Sequence, residues 1–336
     1  MIYSEVVWLL GSLLVVIGFV ALNAAYLVWV ERKGAGHIQR RIGPKEVGPF
    51  GLLQPLADGV KLMTKQLFVP KGADTVLFKI APILVMVPAI MSFVTIPFSE
   101  TLVARNMNIG LLMIFAFASV NVLGLLLGAW GSRNKYAVIS AVRIVSQNIA
   151  YEIPMLLTVV TVVFVTKTYN LHDIVMQQAG GFWHWNILPL AQNPLLILVM
   201  PVMFLIMFVC MLAETNRAPF DMAEAESELI AGAFTEYPGM GFGVFFMGEY
   251  ANIVVGAAMI TILFLGGWQS PLPFIPSGVW WFLLKMYFII WTVVWVRWTF
   301  PRTQFYNLLN LSWKILIPFA LANLIITCAI LKLKVF

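Results

Sequence analysis

Cysteine, histidine and charge are all scarce in this chain. Two cysteines, Cys210 and Cys328, stand apart inside apolar runs, which excludes a disulfide framework and any iron–sulfur or zinc site built on cysteine. Electrons used by such a protein must be delivered by another chain. Three histidines, His37, His172 and His184, are scattered without metal-ligand spacing, so no metal site is expected. Charged residues make up 11% of the 336, against roughly 25% in an average soluble domain. Internal repeats are lacking too, which counts against the inverted-repeat architecture common in secondary transporters.

What fills the chain is hydrophobic sequence, 61% of it, with a mean hydropathy of +0.91. This is the composition of a polytopic membrane protein. The net charge of +6 then reports membrane topology, and no nucleic-acid partner is expected. A helix needs about 20 apolar residues to cross the hydrocarbon core. Eight segments qualify, at about 6–30, 79–99, 107–130, 143–166, 195–214, 242–266, 280–300 and 314–333. The uncharged stretch 174–211 is too long for one span, but Gly180, Gly181, Pro189 and Pro194 break it, so only its second half is expected to cross. The first run has no basic leader or cleavage site and reads as a retained helix.

Sixteen Lys and Arg residues fall in alternate loops, against four, Arg105, Lys167, Lys332 and Lys334, on the other side; Lys285 lies inside the seventh span. That asymmetry predicts both termini outside, with residues 31–78 and the acidic segment 214–241 as cytoplasmic loops. The expected fold is therefore an all-α polytopic membrane protein, one integral domain over residues 1–336 with eight transmembrane helices. In the first loop, Leu52, Leu53, Leu56, Val60, Met63 and Leu67 recur at helical spacing, while Asp58, Lys61 and Lys65 share another face. This predicts an amphipathic helix at the interface, either a simple surface helix or the roof of a lipid-side opening.

Seven of the fifteen acidic residues, Glu214, Asp221, Glu224, Glu226, Glu228, Glu236 and Glu249, crowd between positions 214 and 249. A carboxylate near lipid is costly to ionise and is usually kept for a function, and burial lets such groups exchange protons near neutral pH. Asp221 and Glu224 have capping-box spacing, and with Glu228 they would line one helix face; the same residues also suit a solvated helix start. Arg217 is the only basic residue nearby. Glu249 lies well inside the sixth span beside Tyr250 and Asn252, and Glu152 follows Tyr151 and precedes Pro154 in the fourth. Arg143 and Gln147, four residues apart, form a polar stripe leading toward Glu152. These groups predict a proton path from the cytoplasmic side into the membrane, with a structural salt-bridge network as the competing reading. In the first loop, four Gly and two Pro between Glu31 and Pro49 make a turn-rich backbone. There Arg32, Arg40 and Arg41 offer planar donors to an anionic lipid, a partner or the polar head of an amphiphile, or simply set topology.

Nearly end to end, the chain resembles one family: the H-type membrane subunits of bacterial NADH:quinone oxidoreductase, respiratory complex I, together with subunit 1 of the mitochondrial counterpart. The resemblance is carried by Glu31-Arg32-Lys33 with Gln39, Arg41, Ile42-Gly43-Pro44 and Val47-Gly48-Pro49; by Gln54-Pro55, Ala57-Asp58 and Lys61-Leu62; by Tyr136-Ala137, Arg143 and Tyr151-Glu152; by Ala213 through Asp221 with Glu224, Glu226-Ser227-Glu228 and Gly232; and by Glu236-Tyr237, Glu249-Tyr250 and Pro301-Arg302.

The resemblance implies a subunit of the bacterial plasma (inner) membrane, catalytic only within its assembly, that lines most of a quinone chamber opening to lipid. Quinone would be the substrate, with no covalently bound cofactor. Iron–sulfur clusters and flavin would lie on partner subunits: a peripheral arm carrying the terminal cluster and most quinone head-group ligands. Small membrane subunits and antiporter-like subunits would be neighbours in the bilayer. By motif position, Arg32, Gln39, Arg41, Asp58 and Lys61 would lie near the chamber or its mouth. Glu152, Glu214, Asp221, Glu224, Glu226, Glu228, Glu236 and Glu249 would form an acidic path toward the antiporter-like subunits. The chain departs from the family pattern at Lys45, Gln66, Gln304, Tyr306 and Asn307, so no site role is carried onto residues 304–307. Two other functions stay open: the membrane anchor of a related energy-converting hydrogenase, which would evolve hydrogen and ignore quinone, and a standalone proton-coupled transporter, which would work as a purified single chain.

Overall fold

A computed structural model describes residues 2–191, 193–221, 229 and 231–333, with side chains from residue 11 onward. All regular structure among the described residues is helical. In chain order the helices are α1 (Ile2–Ile38), α2 (Gln54–Thr64), α3 (Thr75–Thr95), α4 (Gly110–Gly131), α5 (Lys135–Thr166), α6 (Leu171–Met176), α7 (Met200–Glu214), α8 (Gly239–Phe264), α9 (Val279–Thr299), α10 (Phe305–Leu311) and α11 (Ile317–Leu333). Short 3₁₀ turns lie between them, and a π-helical segment, Ser312–Leu316, joins α10 to α11. Seven of these stretches are long and apolar enough to cross a membrane, counting Phe305–Leu333 as one. The segment expected at 195–214 contains α7, an apolar helix of 15 residues that follows a 3₁₀ turn, Pro194–Leu198.

Local chemistry sets several helix starts. Asp74 accepts from the backbone N–H groups of Val76 and Leu77 at the head of α3, and Asn134 accepts from that of Tyr136 at the head of α5. Such caps satisfy donors that have no partner within the helix. The Asn134 cap starts α5 eight residues before the apolar run predicts, which puts Arg143 and Gln147 more than two turns inside the helix. Upstream of α7, Gly180 and Gly181 take positive φ and the chain turns through Phe182–His184. The break predicted there is present.

Helix α8 is the central element: 78% of its most apolar window is buried, against 28% for α1. It packs on α1, α3, α7 and α9. Close approach depends on two glycines around Val85 of α3. A Cβ on Gly124 of α4 would sit 2.8 Å from Val85 Cγ2, and one on Gly248 of α8 would sit 2.7 Å from Val85 Cγ1. Without a hydrophobic force between helices in lipid, such small residues let backbones gain dispersion contact. The π segment and α10 are both pinned to α5, since the Ser312 hydroxyl donates to the Ala150 carbonyl and Tyr151 Oη donates to that of Leu308 in α10 at 2.9 Å.

Candidate functional site

The apolar run that opens the chain ends before Glu31, yet α1 continues to Ile38 and carries that carboxylate into the bundle. Glu31 is 7% exposed. Its Oε2 accepts a 2.7 Å hydrogen bond from Tyr250 Oη of α8 and lies 3.6 Å from Arg217 Nη1, while its Oε1 pairs with Arg297 Nη1 of α9. Arg217, 2% exposed, also lies 3.9 Å from Glu249 Oε2 through Nη2, and its guanidinium carbon sits 4.4 Å from the centre of the Tyr250 ring. Two carboxylates and two guanidinium groups thus offset one another in a region that would not tolerate any of them alone. A cavity of about 10 Å³ opens beside Glu31, Arg217, Tyr250 and Arg297, with apolar walls from Leu27, Ile253 and Ile290. That is room for about one water.

Arg217 reaches this place because its loop is clamped from two sides. From α5, the fully buried Gln147 donates through Nε2 to the carbonyls of Ala213 at 2.7 Å and Phe220 at 2.9 Å. From the segment after α9, Thr303 donates through both its backbone N–H and its hydroxyl to the Pro219 carbonyl, each at 3.0 Å. Arg302 Nη2 pairs with Asp221 Oδ2 at 3.2 Å. The Ala218–Pro219 peptide is cis.

A second polar pocket lies one helical turn further along α8. Asn252, three residues after Glu249 and so on the same face, lines a cavity of about 40 Å³ with Ser92, Met155, Met211, Met259 and Glu214. That volume holds ~2–3 waters. Glu214, the last residue of α7, lies within electrostatic reach of Glu152 on α5. Glu152 in turn accepts a 2.9 Å hydrogen bond from Ser119 Oγ of α4. Ionisable and amide groups therefore run from Glu31 past Glu249 and Asn252 to Glu214 and Glu152.

A family profile described as NADH dehydrogenase matches residues 11–328. The H subunit of the NADH-quinone oxidoreductase of Desulfotalea psychrophila is 62% identical over 323 residues, covering 96% of each chain. The chain belongs to the NADH dehydrogenase family. As a member with seven membrane-length apolar helices among the described residues, it is a multi-pass protein of the bacterial inner membrane.

In this family member the residues singled out from sequence divide into three groups and one residue, Glu236, that belongs to none of them. Glu152, Glu214 and Glu249 belong to the buried series just described. Asp221 joins it through the clamped loop, being 3% exposed and paired with Arg302. Glu236 stands apart from the charged cluster, accepting from Asn134 Nδ2 at 2.7 Å. Beside it Tyr237 stacks on Phe78 with ring centres 4.0 Å apart and donates to the Gly128 carbonyl at 3.2 Å; burial pushes its hydroxyl pKa up, so it stays a donor. The second group lies around α2. Arg32 and Asp58 form a 2.8 Å ion pair that Gln54 extends at 3.0 Å, Arg41 donates to Gln39 at 2.7 Å, and Lys61 is exposed in the last turn. The third group, Glu224, Glu226 and Glu228, lies outside the described residues, as does the capping box expected there.

Three functional candidates escape a reading of the sequence. Glu31 reads there as the start of the first loop and as part of the Glu31-Arg32-Lys33 match, with no site role, although its spacing of four from Leu27 places both on one helical face. Arg297 reads as a topology charge, and Gln147 reads as part of a stripe rather than as a clamp. No local pattern shows that α9 brings Arg297 to α1.

Proposed function

We propose that this chain is the quinone-chamber and proton-coupling subunit of a proton-translocating NADH:quinone oxidoreductase, working only within the assembled complex. The observation that carries the reading is the buried set Glu31, Arg217, Glu249, Tyr250 and Arg297, with the pocket lined by Glu214 and Asn252 one turn further along α8. Buried charges of this density inside a membrane are expensive for structure alone. The relative named as a quinone oxidoreductase subunit, matched over 96% of both chains, supports quinone as acceptor over the hydrogenase-anchor reading and an assembly over a standalone transporter.

In this reading α2 lies at the membrane interface and roofs the chamber mouth. Leu53, Leu56, Val60 and Met63 are exposed together and suit that position. Arg32, Gln39, Arg41, Asp58 and Lys61 flank the mouth. The helix α7 with its preceding 3₁₀ turn spans about 30 Å, enough for an eighth crossing with both termini outside. Peripheral-arm partners deliver the electrons, and antiporter-like and small membrane subunits take over the proton path.

Reduction of a quinone to a quinol takes two electrons and two protons. Negative charge arriving near Arg217 and Arg297 competes with Glu31 and Glu249 for the same guanidinium groups, and a carboxylate that loses its cation favours taking a proton. The carboxylates are the chain's proton holders; Tyr250 and the arginines position them. Glu249→Gln in the assembled complex should abolish quinone-linked proton pumping while NADH oxidation by an artificial water-soluble acceptor continues. Full pumping by that variant would remove Glu249 from the path.

A further inference from the structure

The end of α8 remote from Glu249 is closed by three buried side chains. Gln178 Nε2 donates to the Ile262 carbonyl and Asn186 Nδ2 to that of Leu263, both at 2.8 Å. Lys285, from the second turn of α9 and only 6% exposed, donates through Nζ to the carbonyls of Leu265 at 2.6 Å, Gly267 at 3.0 Å and Gln269 at 2.6 Å. A primary ammonium has three N–H donors, and these three acceptors take all of them. On the remaining side the cation lies 3.9 Å from the centre of the Trp185 ring, the arrangement that the negative face of an aromatic ring favours.

The segment is shaped for this purpose. Gly266 and Gly267 take φ of +70° and +51°, the backbone turn in which the alternate carbonyls of Leu265, Gly267 and Gln269 meet Lys285 Nζ. A Cβ on Gly266 would meet Trp185 Nε1 at 2.6 Å, and one on Gly267 would meet Val175 Cγ2 at 2.6 Å. Among the described residues no carboxylate contacts Lys285, so its charge is met by backbone dipoles at a helix C-terminus and by the indole face. A lysine left unused would not be carried into a membrane span at this cost.

We propose that residues 265–269 form a preformed seat for a primary ammonium ion, filled from within the chain by Lys285, and that filling it locks the end of α8 to α9. Helix α9 is then fastened at two points, Lys285 to the α8 end and Arg297 to Glu31, about 18 Å apart along its axis. A planar guanidinium does not match three convergent carbonyls beneath a ring. The inference stands on this geometry and does not depend on the quinone reading.

The test uses the whole purified complex. Lys285→Ala empties the seat without altering it, and the variant complex should lose activity on mild heating several-fold faster than wild type. Methylammonium chloride should slow that loss several-fold, whereas tetramethylammonium chloride at equal concentration, which has no N–H donor, should not. Equal effects of the two salts, or none from either, overturn the proposal. If Lys285→Ala does not accumulate, Trp185 decides the matter: Trp185→Leu should speed heat inactivation several-fold and Trp185→Phe, which keeps a ring, should restore most of the loss. Indistinguishable Leu and Phe variants, or a Leu variant like wild type, overturn it equally.

Discussion

Tyr250 of α8 donates a 2.7 Å hydrogen bond to Glu31 of α1 across 219 positions of the chain, and Arg217 lies over the ring of that same tyrosine. The phenol therefore sets where the carboxylate stands between its two arginine partners. Removing either residue disturbs the other's charge balance, but not equally. Glu31→Gln removes the carboxylate that Arg297 and Arg217 share, and breaking a buried pair in this way costs about 3–5 kcal/mol. Tyr250→Phe removes one hydrogen bond to a charged group, about 1.5–3 kcal/mol. Heat inactivation of the purified complexes should rank Glu31→Gln below Tyr250→Phe below wild type; the reverse order would mean that Glu31 is not the hub.

Gln147 supports a separate prediction, because all three of its donor contacts, to Ala213, Asn216 and Phe220, close the same loop. Gln147→Leu keeps approximate size but leaves the Phe220 carbonyl without its donor in a buried place, a cost of about 1–3 kcal/mol, while the Ala213 carbonyl keeps the backbone N–H of Asn216. The loop that carries Arg217 should loosen, and pumping per quinone reduced should fall while electron entry from NADH is unchanged. Gln147→Glu, which cannot donate, should resemble Leu. Normal coupling in both variants would leave Gln147 as ordinary packing.

Asp58 tests the other end of the proposed chamber. Its pair with Arg32 is largely exposed, the arginine side chain by 52%, and such pairs contribute about 0–1 kcal/mol. Asp58→Asn should therefore leave the unfolding temperature of the complex unchanged. A raised KM for a short-chain quinone against that unchanged stability is the expected signature of a residue at the mouth. A stability loss with an unchanged KM would assign the pair a structural role instead.

The apolar stretches were legible because a crossing helix must be apolar along its whole length, whatever its neighbours are. So was Glu249, an acid in the middle of such a stretch. The continuation of α1 through Glu31, Arg32 and Lys33 to Ile38 was not, since a window on the sequence sees three charged residues and infers a loop. What keeps Glu31 inside the bundle is Arg297, 266 residues away, and Arg217. The same blindness hid Lys285: its charge is visible in the seventh span, but its three carbonyl partners depend on how Gly266 and Gly267 fold back. Charge inside a span marks a site, while the partners that identify its role come from the packing.

Gly248 joins packing to chemistry, being adjacent to Glu249 in α8. A methyl group there would press to 2.7 Å from Val85 Cγ1, on a side chain that is itself fully buried. Overpacking of this kind costs about 1–3 kcal/mol and pushes α8 away from α3, carrying Glu249 off its 3.9 Å approach to Arg217. Gly248→Ala should thus lower quinone-linked turnover and thermal stability together. Val85→Ala added to it should recover part of both, since it removes the methyl groups that clash. Recovery of stability without turnover would show that Glu249 needs more than its distance to Arg217; recovery of neither would show that the strain lies elsewhere than at Val85.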